Sequence, residues 1–149
     1  MLLVIGCGNI LRSDDGVGPK VAQAVEALHL PGVHTLVCSR LTPELADPIG
    51  HAGTTVFVDA AVDEPRRLGI RRIEPGKPSV ESAPESDPSS LLALARDAFG
   101  RVPEAWLLTV PAEALGRGDQ LSPLAARGVR RAVAALQALH GNIRYRGHN

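Results

Sequence analysis

Aromatic side chains are almost missing from this sequence: they make up 3% of it, as Phe57, Phe99, Trp106 and Tyr145. Its core must therefore be aliphatic, and with 44% of 149 residues hydrophobic there is enough Leu, Val, Ile and Ala to bury one in a single domain. Cysteine is scarce as well. Cys7 and Cys38 form neither a zinc-ligand spacing nor a disulfide framework, and two free thiols fit a cytoplasmic protein. An excess of either charge is lacking, since Lys and Arg number 16 against 16 Asp and Glu. That balance argues against nucleic acid as the main partner, because phosphate binding is driven by clustered positive charge. Long apolar runs are absent too. The stretch Met1 to Ile5 is too short for a signal peptide or a membrane span and leads directly into a glycine loop. No membrane association is expected.

What is present alternates. Leu2-Leu3-Val4-Ile5, ended by Gly6, is a short continuous apolar run, the pattern of a buried central strand. Val17, Val21, Ala24, Val25 and Leu28 then recur at helical spacing, with Pro19 in the first turn, where a missing N–H is tolerated. Val33 to Cys38 reads as a second strand. Thr55-Val56-Phe57-Val58 and Ala105 to Val110 read as further central strands, and Ile70 to Ile73 as an edge strand guarded by Arg71 and Arg72. Thr42-Pro43, Asp87-Pro88 and Ser122-Pro123 each pair an N-cap oxygen with proline at the first helical position. The helix from Pro88 places Leu91, Leu94, Ala95 and Ala98 on one face. The helix from Pro123 carries Val129, Val133, Leu136 and Leu139 and is expected to stop at Gly141. Residues 75–90 read as a long loop. Together these predict an α/β fold of three layers, a twisted and mainly parallel sheet with helices on both faces. Ligand sites in such sheets lie beyond the carboxyl ends of the strands.

Three chemistries compete for that edge. Gly6-x-Gly8 begins a dinucleotide fingerprint, but Leu11 holds the third glycine's place, and Asp14 and Asp15 would repel a pyrophosphate at the helix N-terminus. A carboxylate site fits better. Asp15 heads the first helix, Asp59 ends a neighbouring strand, and two acids converging in a cleft bind a divalent cation or activate water. Helix capping by one of Asp14 and Asp15 is also expected. Nucleophilic catalysis by Cys7 lacks a histidine placed to activate it: His29, His34, His51, His140 and His148 all fall at helix ends, strand starts or the tail. A small-molecule hydrolase or phosphorylase on a similar sheet is a further reading.

The run from Leu3 to Gly18, with Gly6-Cys7-Gly8-Asn9-Ile10-Leu11-Arg12-Ser13-Asp14-Asp15-Gly16 at its heart, resembles the opening motif of the hydrogenase maturation endopeptidases. The likeness continues through Val56-Phe57-Val58-Asp59-Ala60, Leu91 to Ala95, Leu107 to Pro111 and Leu121-Ser122-Pro123, over roughly residues 2–140. The resemblance implies removal of a C-terminal extension from the large-subunit precursor of a nickel-iron hydrogenase. The nickel is carried by that substrate, and no cofactor is permanently bound. It implies catalytic roles for Asp15, where the family commonly has Glu, and for Asp59. Gly8, Asn9 and Thr42 would bind substrate. Asp15, Asp59 and Glu85 would face the metal. The family's third metal-contacting residue is a histidine, and counting back from Leu91-Leu92 its place is held by Pro84, with Glu85 and Asp87 as nearby oxygen donors. The alternative is a catalytically impaired relative that binds protein or metal without cutting.

Overall fold

In the computed structural model, which describes residues 1–62, 66–76 and 87–147, five strands form one sheet in the order β2-β1-β3-β5-β4. They are β1 Leu2–Cys7, β2 Val33–Cys38, β3 Thr54–Ala61, β4 Gly69–Ile73 and β5 Glu104–Pro111. The first three and β5 run parallel, and β4 closes the edge antiparallel to β5. The helices are α1 Val17–Ala27, α2 Ala46–His51, α3 Pro88–Phe99 and α4 Pro123–Gly147. This is the expected three-layer architecture, with short 3-10 turns at Ser13–Gly16 and Pro43–Leu45 leading into α1 and α2.

Side chains alternate across the sheet, which divides the core in two. Val4, Val56, Val58, Leu108 and Val110 meet Val17, Val21 and Val25 of α1 and Ala125, Ala132 and Leu136 of α4. On the other face Leu3, Ile5, Phe57 and Ala105 meet Ile49 of α2 and Leu91, Leu92 and Ala95 of α3. Both core faces of β1 and β3 are covered, which is why their sequences read as unbroken apolar runs.

Four local expectations fail. Gly141 does not end the last helix, which continues to Gly147. An interior glycine costs about 1 kcal/mol, and here Ile143, packed against the first core cluster, holds the extra turns in place. On α3, Leu94 and Ala98 are exposed and the buried residues are Ser90, Leu91, Leu92 and Ala95; Leu92, not Leu94, joins Leu91 and Ala95 in the cluster with Leu3, Ile5, Phe57 and Ala105 of the sheet. Neither Asp14 nor Asp15 caps α1, whose N-cap is Gly16. Of the three proline-led starts, Asp87 caps α3 by accepting from the Ser89 N–H at 3.0 Å, and Ser122 Oγ accepts from the Ala125 N–H at 3.2 Å. Thr42 makes no side-chain cap.

Candidate acid-pair site

The loop after β1 is shaped by its glycines. Gly8 has φ +146°, and a Cβ there would lie 2.0 Å from the Asp15 carbonyl oxygen, so only glycine permits this close return of the chain. The return places the Asn9 N–H 3.0 Å from Asp15 Oδ2, while Asn9 Oδ1 accepts from the Leu11 N–H at 2.9 Å.

Asp14 and Asp15 then diverge. Asp14 is fully buried and faces the segment after β5. It accepts from the Glu113 and Ala114 N–H groups, both at 2.9 Å, and from the Ser122 N–H and Oγ at 2.7 and 2.6 Å. Burial alone would raise its pKa, but these four bonds overrule it and hold the carboxyl below its ordinary range. Ser13 reinforces the clasp through its N–H to Gly118 O at 2.8 Å and its Oγ to Gly116 O at 3.0 Å. Asp14 is thus an anchor that fixes the turn carrying Asp15.

Asp15 turns toward the ends of β1 and β3 instead. It lines a cleft of about 280 Å³ together with Asp59, Cys7, Gly8, Phe57 and Leu107. Asp59 Oδ1 accepts from the Ala60 N–H at 2.8 Å. Its carboxyl is pushed up by burial among the cleft walls, is partly relieved by that N–H, and is raised again by the charge of Asp15. Solvent reaches Asp59 through the cleft mouth, so the direction of the shift, and not its size, carries the inference. The charge of Asp15 thus acts on Asp59 across one cleft and raises the proton affinity of the Asp59 carboxylate.

Gly8 lines the cleft. Asn9 stands just outside its lining, and so does Thr42, whose hydroxyl pairs with Glu44. Ser39, Arg40 and Leu41 form the rim that Thr42 was expected to provide. Glu85, Pro84 and the rest of residues 77–86 lie outside the described residues. Asp87 gives its Oδ1 to the cap of α3, and Pro88 beside it lines the cleft. Among the described residues no three His, Cys, Asp or Glu side chains converge to hold a metal ion. A larger hollow of about 410 Å³ beside Glu26, His29 and Thr35 lies on the opposite face from the acids.

Sequence reasoning missed the pairing of Cys7 with Cys38, which are register partners on β1 and β2. Contact with the Cys38 thiol, burial and the charges of Cys38, Asp59 and Asp15 all push the Cys7 thiol up. The Cys7 thiol is thereby held toward its protonated, less nucleophilic form. It also missed Ser122 as a partner of Asp14; the only local signal at Ser122-Pro123 is a helix start.

No family profile matches the sequence, and no curated protein matches it. Solved structures do. The hydrogenase maturating endopeptidase HybD from E. coli superposes with a TM-score of 0.72 at 23% identity, covering 93% of this chain and 90% of that one. A hydrogenase 2 maturation peptidase from a Thaumarchaeota archaeon gives 0.69 at 22%, covering 94% and 97%. The [NiFe] hydrogenase maturation protease HycI from Thermococcus kodakarensis gives 0.67 at 21%, covering 94% and 90%. The chain has the fold of the hydrogenase maturation endopeptidases over nearly its whole length.

Proposed function

We propose that this chain is a cytoplasmic endopeptidase that removes the C-terminal extension from the large-subunit precursor of a nickel-iron hydrogenase. The observation that carries this reading is the convergence of Asp15 and Asp59 on one cleft at the carboxyl ends of β1 and β3, on the fold those proteases share. Each acid spends one oxygen on a neighbouring N–H, Oδ2 of Asp15 on Asn9 and Oδ1 of Asp59 on Ala60. The second oxygen of each is left for the substrate. Carboxylate oxygens suit a divalent ion, so Asp15 takes the nickel that the precursor brings and sets the scissile carbonyl beside Asp59. Asp59, with its raised proton affinity, accepts a proton from the attacking water and returns it to the leaving amine. Gly8, Ser39, Arg40 and Leu41 line the path of the substrate chain, Asn9 and Thr42 stand just outside it, and Glu85 is a candidate third oxygen for the metal.

Purified protein incubated with nickel-loaded and nickel-free precursor tests this by intact mass. Loss of one C-terminal fragment from the nickel-loaded form alone is expected. A precursor of unchanged mass with nickel present contradicts it. One observation favours a second reading: Pro84 stands where the family has histidine, and proline has no donor or acceptor side chain. A stable complex with the nickel-loaded precursor, without shortening, would identify a binding relative that does not cut.

A further inference from the structure

We propose that the acid cleft continues as a peptide groove over β5 and β4, where Arg67 and Arg71 hold an acidic side chain of the extension being removed. This rests on the peptidase reading. A second hollow of about 370 Å³ lies against β4 and β5, with Arg67, Gly69, Arg71 and Thr109 in its walls, and it shares Leu107 with the acid cleft. Register explains the continuity. Asp59 is opposite Thr109, and Thr109 is opposite Gly69, so all three stand in one row across β3, β5 and β4. Residues directly opposite in a ladder share a face. Gly69 keeps the floor open, since a Cβ there would lie 2.4 Å from Thr109 Oγ1.

The charge of this groove is specific. Arg66 is matched by Glu113 at 3.0 Å. Arg72 lies 3.8 Å from both Glu74 and Glu104 and stacks on Trp106. Arg67 and Arg71, between them in sequence, make no ion pair among the described residues. Two guanidinium groups facing one hollow favour a carboxylate through charge-assisted hydrogen bonds. Two strand spacings separate Asp59 from Gly69, roughly 10 Å. An extended peptide covers that in about three residues, so an acidic residue shortly beyond the cut would reach the arginines.

The test is fluorescence anisotropy with three fluorescein-labelled decapeptides, amidated to remove the terminal carboxylate. They are identical except for a central pair that is Asp-Asp, Asn-Asn or Lys-Lys. At low salt the full chain is expected to bind the Asp-Asp peptide about fivefold more tightly than the Asn-Asn peptide and to lose that preference in high salt. Arg67→Glu/Arg71→Glu reverses the preference toward Lys-Lys, and Arg67→Gln/Arg71→Gln abolishes it if the reversed variant does not fold. Arg130→Glu/Arg131→Glu, on exposed positions of α4, leaves it unchanged. Equal binding of all three peptides, no binding, or an Asp-Asp preference that survives in the Gln variant overturns the proposal. If the precursor is shortened but no preference exists, the groove fails and the peptidase stands. If the preference holds and no precursor is shortened, the groove is a peptide-docking surface and the peptidase reading fails.

Discussion

Asp14 and Asp15 are neighbours in the chain with opposite tasks, and their surroundings decide which does which. Replacing Asp14 with Ala leaves three backbone N–H groups and a hydroxyl without their acceptor. That costs about 3 kcal/mol or more, a drop of roughly 6–12 °C in Tm by thermal circular dichroism; a loss below about 2 °C would refute the anchor role. Because the folded pKa of Asp14 is depressed, its contribution is present above the unfolded value of about 3.9 and fades as pH falls through the folded one. Wild type is therefore expected to weaken more than Asp14→Ala below about pH 4. Asp59 has the opposite sign. The native state holds its proton more tightly than the unfolded chain, so its contribution declines as pH rises from about 4 through the folded pKa. The acid pair itself was legible, because two carboxylates exceed the needs of a helix start. The division of labour was not. It depends on Glu113, Ala114 and Ser122, brought to Asp14 only by the folded path of the chain after β5.

At the scale of elements, what could be read locally was read well. Asp87-Pro88 carries its own start signal, and the cap forms as expected. Asp87→Ala should cost about 1 kcal/mol of stability while leaving precursor processing intact, as followed by intact mass. Loss of processing without loss of stability would instead place Asp87 in the site. The guarded edge strand with Arg71 and Arg72 was equally visible. Glycine at position 141 was a fair stop signal that packing of Ile143 outweighs. The buried face of α3 was blurred because Leu91, Leu92 and Leu94 are equally apolar, and only contact with β1, β3 and β5 selects the first two. The rim residues Ser39, Arg40 and Leu41 carried no signal, since nothing in a strand–turn sequence tells which side chains will edge a cleft.

On the scale of the whole molecule, parallel strands carry chain segments from distant parts of the sequence to one edge, and the site is assembled there. The loop after β1 brings Asp15, the end of β3 brings Asp59, and β5 supplies Leu107 as shared floor. The segment after β5 never enters the cleft; it clamps the first loop from behind through Asp14 and Ser13. Sites that crowd like charges hold them at a cost to stability, so removing one of the two charges should silence the chemistry without harming the fold. Co-expression of a nickel-loaded large-subunit precursor with wild type, Asp15→Asn or Asp59→Asn, read by the intact mass of the precursor, tests this most directly. Shortening by wild type alone is expected, with Asp59→Asn melting at or above the wild-type temperature. Full shortening by either Asn variant would contradict an active site built on this acid pair.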